Sequence, residues 1–319
     1  MRTVNPAKAN EYLGLAAARD EVVDLPFAFP RIFGQLTDLI LEREARRSGA
    51  GSADAIEAAL TEISANNYAN AARNPLAQMR DFPRGEAGST KLQALDKRFA
   101  GPLGGRTRYR DCSQVSDGSA VVVLASAAYA REHSRRRSLS PGQLAAITGR
   151  GRRTAALRLR ERVREFEDTP LAQHPLPWTK RTVDEALARA GRTALDLQLI
   201  ETHDCFTSSE LLALSAFGLC APGEEARYVA DGGIALSSAG SKLRTGDRAV
   251  PVNPGGGLIG AGHPVGATGV RMALDLARQT TNRAGAMQVP GARVGAMLNI
   301  GGSFATNACF VIENAGELV

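Results

Sequence analysis

Between Asn253 and Gly269 the chain reads Asn-Pro-Gly-Gly-Gly-Leu-Ile-Gly-Ala-Gly-His-Pro-Val-Gly-Ala-Thr-Gly. Glycine at this density weakens any helix or strand interior, and it frees the backbone for unusual dihedrals and close approach to a ligand. The stretch therefore has to be a loop pressed against something else. No lysine follows the glycines, so it is not a phosphate loop. It holds His263, whose imidazole is a natural general base near neutral pH, and Pro264 fixes the chain just beyond it. His133 and His174 lack such a setting and read as structural or surface residues.

What surrounds this loop predicts an α/β fold. From Asp111 onward apolar strand runs alternate with helical patterns. Val121-Val122-Val123-Leu124 reads as a buried strand after a turn, followed by a helix from Ala127 to His133. Strands are expected at 144–148 and 197–202, and helices at 183–190 and 208–217. A helix over 270–279 precedes a closing hairpin of 294–299 and 308–313. The first 105 or so residues carry little strand signal. Helices are expected there at 7–19, 32–46 and 55–73, with Phe27-Ala28-Phe29-Pro30 interrupting and Asn74-Pro75 stopping the last. Residues 82–107 read as loop.

The 319 residues are 44% hydrophobic, enough for a sizeable core, and carry a net charge of +6. The positive excess gathers at Arg135-Arg136-Arg137 and from Arg150 to Arg164. In the second stretch Arg158, Arg160, Arg162 and Arg164 mingle with Glu161, Glu165 and Glu167, the pattern of a solvated helix face. No zinc-finger spacing or aromatic-basic RNA motif accompanies the charge, so nucleic acid is not expected as a partner. Cys112, Cys205, Cys220 and Cys309 form no CxxC pair, which argues against a metal site or a disulfide framework. The longest apolar run, Ala120 to Ala130, is too short to span a bilayer. With no signal peptide or peroxisomal address legible, a cytoplasmic protein is expected.

Two further segments carry reactive groups. His203-Asp204-Cys205-Phe206 follows an apolar strand, and in α/β proteins ligand groups gather at the carboxyl ends of strands. A His and a Cys two apart can transfer protons there, although a free Cys is more often a small buried hydrophobe. Leu298-Asn299-Ile300-Gly301-Gly302-Ser303 is a turn whose N–H groups can face a developing oxyanion, or a plain hairpin loop.

Taken in order, the His-Asp-Cys-Phe motif, the glycine-histidine-proline motif and the Asn-Ile-Gly-Gly turn resemble the C-terminal half of thiolases of the sterol-carrier-protein type. Asn74-Pro75-Leu76-Ala77-Gln78-Met79 and Asp111-Cys112-Ser113-Gln114-Val115-Ser116-Asp117-Gly118 add to the likeness. The resemblance implies a thiolase-like α/β fold of mixed sheets layered with helices. Residues 1–107 would form a loop domain covering coenzyme A, 108–138 the tail of the first α/β half, and 139–319 the second half. It implies that His263 activates the nucleophile and binds the thioester oxygen, that His203 stands at the first oxyanion hole, and that Cys205 is the acid/base. Gly301 would serve the second oxyanion hole, and Ser113 would lie near the pantetheine arm. Asn299 stands where many thiolases carry their acid/base cysteine, and an amide cannot move protons at neutral pH.

The family's nucleophilic cysteine lies on the opening segment of the first half, and Met1-Arg2-Thr3 resembles the start of the loop domain downstream of it. A first half without its neighbouring strands is expected to leave the 121–124 strand bare and to make the chain poorly soluble or dependent on a partner. The implied activity is acyl transfer on acyl-CoA, by thiolysis or condensation, with this chain alone expected to be inactive. A retro-aldol carbon–carbon lyase acting on a CoA ester and a non-catalytic acyl-CoA-binding subunit are the alternatives. Coenzyme A thioesters are the expected ligand, no separate cofactor or metal is expected, and self-association as a homodimer follows by analogy.

Overall fold

The computed structural model describes residues 6–23, 28–49, 52–81, 107–236 and 248–317. Helices α1 (Pro6–Gly14) and α2 (Arg19–Val22) precede α3 (Ala28–Ser48) and α4 (Ser52–Ala71). Helix α3 begins earlier than expected because Pro30 does not interrupt it. Pro30 lies in the first turn, where the missing N–H would have had no intrahelical acceptor. Most of the loop expected over 82–107 lies outside the described residues.

Downstream come α5 (Ala127–Arg137), β1 (Ala145–Thr154), α6 (Leu159–Asp168), α7 (Pro177–Ala190) and β2 (Leu199–Thr202). They are followed by α8 (Thr207–Phe217), α9 (Glu225–Ala230), α10 (Gly257–Ala261), α11 (Thr268–Thr280), β3 (Val294–Gly301) and β4 (Thr306–Asn314). The strands form one mixed sheet of order β1-β4-β3-β2. The closing hairpin pairs β3 with β4 from Val294↔Glu313 to Gly301↔Thr306, and β2 runs parallel to β3. Val252 bridges Ile200 in parallel, which extends the sheet past β2.

Alternation along the strands sorts side chains onto two faces. Leu199, Met297 and Ile312 meet Met272 and Leu276 of α11. Ala296, Leu298, Cys309 and Val311 face the other way, into a larger cluster with Val183 and Ala186 of α7 and with Leu211 and Leu214 of α8. Every residue of α8 is buried, the polar Ser208, Ser209, Glu210 and Ser215 included, so the helix is enclosed by protein on all sides. Phe33, Leu36 and Ile40 of α3 and Ile56, Leu60 and Ile63 of α4 belong to the same cluster. Helices α3 and α4 thus help build the main core.

Two sequence expectations change. The basic stretch from Arg150 is first a strand, because β1 continues to Thr154 with Gly149 and Gly151 buried and Arg150 and Arg152 exposed. Within α6 the helix face is not wholly solvated. Arg162 is buried and donates to the carbonyls of Gly302 (2.8 Å) and Ser303 (2.7 Å) and to Ser303 Oγ (2.9 Å). Residues 121–124 form no regular element and join no ladder among the described residues. Val121, Val123 and Leu124 are 76%, 89% and 74% exposed, so β-branched propensity without a neighbouring strand does not bury them. No helix of the described residues is long and apolar enough to cross a membrane.

Helix α7 lies directly against β1 at two glycines. A Cβ at Gly151 would overlap the carbonyl oxygen of Thr182, and one at Gly149 that of Ala186. Both obstacles are helix backbone, which cannot rotate away. Gly151→Ala is expected to lower stability by about 1–3 kcal/mol, the usual range for overpacking, read as a lower urea midpoint at unchanged slope.

Candidate active site

The carboxyl end of β2, the end of β3 and the start of α11 converge. His203 directly follows β2, and its Nδ1 lies 2.6 Å from Asn299 Oδ1 on β3. A carboxamide oxygen only accepts, so Nδ1 carries the proton and Nε2 is left with its lone pair. His263 Nδ1 lies 2.8 Å from Thr268 Oγ1, and that hydroxyl gives its one proton to the Pro264 carbonyl (3.1 Å). His263 therefore also carries its proton on Nδ1 and exposes an unprotonated Nε2. The two rings meet edge to face, with centroids 4.9 Å apart, and each residue is 8% exposed.

Burial holds both imidazoles neutral. It lowers His203 to about 4, opposed by the Asn299 hydrogen bond and aided by the Arg271 charge. It drives His263 well below its ordinary value, with the neighbouring His203 and Arg271 pushing the same way. Arg271, on α11, pairs with Asp275 (2.6 Å) and lies 3.9 Å from Glu201.

The 112–116 segment packs across both histidine loops. Ser113 N–H donates to the Cys205 carbonyl (2.9 Å), Val115 bridges His263, and Ser116 Oγ accepts the His263 N–H (2.8 Å). Gly301 sits two residues beyond Asn299 on β3, hence on the same strand face, and is exposed. Asp204 clamps the site from behind by accepting from Leu258 N–H (2.6 Å) and Ile259 N–H (3.1 Å), at the start of the turn that leads to His263.

Cys205 is placed differently from its neighbours. Its Sγ lies 3.8 Å from Ser209 Oγ, within the large apolar cluster. Burial, with the Asp204 charge adding to it, pushes the thiol up to about 12. Such a thiol holds its proton at neutral pH and does not rest as a thiolate. Burial raises Cys112 and Cys309 as well, and Cys220 is half-buried at the rim of the core. No group of three or more metal-ligating side chains occurs among the described residues.

Sequence reasoning passed over several members of the site. Thr268 and Ser116 stood inside quoted motifs, but only coordinates show them holding His263. Asn67, Asn70 and Asn74 left a signal in their i, i+3, i+7 spacing, which puts all three on one side of α4 and its continuation.

A family model described as thiolase C-terminal domain-like matches residues 174–314. The acetyl-CoA acetyltransferase of Methanothermobacter thermautotrophicus is 34% identical over 255 residues, which cover 80% of this chain and 57% of that protein. Sterol carrier protein 2 of Homo sapiens is 31% identical over 195 residues, covering 60% of this chain and 31% of that protein. Among solved structures, the Ltp2-ChsH2(DUF35) aldolase shares the fold with a TM-score of 0.66 at 17% identity, covering 100% of this chain and 70% of that one. The chain belongs to the thiolase superfamily, on the branch of the sterol-carrier-protein type. It spans a little over half the length of the acetyltransferase and about a third of sterol carrier protein 2.

The tautomers have a direct readout. In 15N-labelled protein both imidazoles should show Nδ1–H between about pH 8 and 6, with no imidazolium form. Because the folded values lie below the unfolded one, unfolding takes up protons. The stability tied to these rings is complete above about pH 6.5 and is lost as pH falls toward the folded values. Thr268→Val should let an Nε2–H form of His263 appear; an Nε2–H signal already present in the wild type would reverse the assignment.

Proposed function

We propose that this chain carries the enolate-forming half of a thiolase-type carbon–carbon bond reaction on an acyl-CoA thioester, as an acyl-CoA acyltransferase. The observation behind this reading is the pair of neutral imidazoles, each anchored through Nδ1–H with a free Nε2. In thiolysis of a 3-ketoacyl-CoA, an attacking thiol gives its proton to His263 Nε2 and adds to C3. The C2–C3 bond then breaks, and its electron pair moves into the thioester to give an enolate. His263, now an imidazolium, donates Nε2–H to the enolate oxygen, a stabilisation that is strong in a dry site. Cys205, whose thiol keeps its proton at rest, is the candidate to protonate C2. The proton held on His263 Nε2 then returns to the Cys205 sulfur, restoring both groups. Gly301 is the candidate donor to the oxygen that develops on C3, Ser113 would lie beside the pantetheine arm, and residues 1–107 would cover coenzyme A.

This route needs a thiol from outside these 319 residues, since three of the four cysteines are buried with raised values and the fourth packs at the core rim. A partner chain that brings one would complete it. The same observation favours a second reading, a carbon–carbon lyase on a 3-hydroxyacyl-CoA. There an Nε2 takes the 3-hydroxyl proton, C2–C3 breaks to a carbonyl compound and a CoA enolate, and the proton returns to C2. No acyl-cysteine forms.

Chromatography of products separates the readings. Consumption of 3-ketoacyl-CoA only when coenzyme A is added supports acyl transfer, and cleavage of 3-hydroxyacyl-CoA without added thiol supports the lyase. His263→Ala should slow either by about 10²–10⁴-fold. Turnover that survives His263→Ala, or thioester binding with no turnover even when a thiol-bearing partner chain is supplied, would defeat the catalytic assignment.

A further inference from the structure

Behind the histidines, two carboxyl groups share one amide. Asn67 Nδ2 donates to Asp204 Oδ2 (3.0 Å) and to Glu210 Oε2 (2.8 Å). Glu210 Oε2 also accepts from Asn253 Nδ2 (2.8 Å), while Glu210 Oε1 is buried without a hydrogen-bond partner. Asp204 is served on both oxygens, by Leu258 N–H on Oδ1 and by Ile259 N–H and Asn67 on Oδ2. Both acids are wholly buried.

Two anions bridged by one amide in a low-dielectric interior repel strongly, and one of them keeps its proton instead. The unequal service says which. An anion with an empty, buried oxygen forfeits hydrogen bonds that a carboxylate needs, whereas a neutral acid loses less by leaving that oxygen without a partner. Asp204, with three N–H donors, is the anion. The charged groups facing the pair do not change this. Glu201 at the adjoining strand is also buried, Arg271 of α11 is taken up by Asp275 and Glu201, and no described cation forms an ion pair with Asp204 or Glu210.

The pair sits where three segments meet. Asp204 follows His203, and Leu258 and Ile259 open the turn that ends at His263. Asn253 Oδ1 holds the N–H of Thr202 (2.9 Å), the residue before His203. From α4 and the turn after it, Asn70 and Asn74 bind the carbonyls of Asn253 (3.1 Å) and Gly255 (2.9 Å).

We infer that Glu210 and Asn67 are positioning residues for the histidine pair: Glu210 stands as a neutral acid beside the Asp204 anion, and Asn67 binds the two, keeping the His203 turn and the His263 loop in one register. Their importance to the reaction rests on the function proposed above; the placement of the rings does not. Burial and the Asp204 charge raise Glu210 well above the usual carboxylate range, the direction this arrangement requires. The folded chain then holds this proton more tightly than the unfolded chain. The associated stability is complete below the unfolded value of about 4.3 and is lost as pH rises through the folded value. Asp204, raised by burial to about 6, and Glu201, raised by burial to about 8, slope the same way. Removing Glu210 alone therefore flattens the profile without abolishing it.

The test uses the 319-residue chain with 15N-labelled histidine, and compares the wild type with E210Q, E210L and N67L. E210Q mimics the neutral acid, so it should keep the wild-type imidazole signals of His203 and His263. At about pH 8 it should melt about 2–4 °C higher, having lost the proton-linked penalty. E210L and N67L should displace both imidazole signals. If E210Q displaces them as far as E210L does, or if E210L and N67L leave them in place, the inference is overturned. Should E210L not fold, the melting profiles of wild type and E210Q decide, and equal slopes across about pH 5–8 overturn it. Because the rings are read and not turnover, a chain without acyl-CoA activity would sink the proposed function and leave this inference standing.

Discussion

The Asp204 carboxylate is the point through which the site is assembled. Its oxygens accept two amide protons from the start of α10 and one from Asn67 on α4. It thereby joins the turn after β2, the loop before α11 and a helix from the first hundred residues. A glycine-dense loop has little side-chain packing of its own and a large backbone entropy to lose on ordering. Buried, charge-assisted hydrogen bonds are the kind of contact that can fix such a loop in one conformation. Gly256 shows how closely the backbone then approaches, since with φ at 101° a Cβ there would lie 2.7 Å from that of Ala71.

Burial that fixes the loop also sets the chemistry. The interior that keeps His203 and His263 neutral keeps the Cys205 thiol protonated. A dry site of this kind favours proton transfer among neutral groups and disfavours a resident thiolate. Electrostatics and hydrogen bonding thus agree on what the described residues can do. They offer two unprotonated ring nitrogens and one thiol that keeps its proton.

Fold and site were not equally legible in the sequence. The β3–β4 hairpin and α11 were readable because alternation and helical spacing are local. So was the nearness of the His203 and His263 motifs, since both histidines stand beside turns or glycines. The expectation that the 121–124 run would be left bare agrees with its exposure. Its reading as a buried strand misled, because strand propensity describes a residue's fit to a sheet and cannot report whether a neighbouring strand exists. Arg162 misled for a related reason. Its neighbours alternate in charge like a solvated face, yet its own guanidinium meets carbonyls about 140 residues away, which no pattern rule reaches. Cys205 read as a proton carrier from its motif, and only the coordinates show how deeply its thiol faces Ser209 and the core.

The part played by the N-terminal helices follows from one stack of rings. Phe33 of α3 lies flat on Phe206, with centroids 4.3 Å apart, and tilts toward Phe304 at 6.4 Å. Phe206 ends the His-Asp-Cys-Phe motif, and Phe304 lies in the hairpin turn just after Gly301. Ser303 and Phe304 both hold positive φ, 53° and 70°, which is costly for side chains of their size. Such a turn persists only when its surroundings over-determine it, and here Arg162 grips its carbonyls while Phe33 packs against its ring. A helix that braces both turns cannot be only a cover for a ligand. Its packing ties the turn after β2 to the turn between β3 and β4, so α3 helps to set the separation of the two turns.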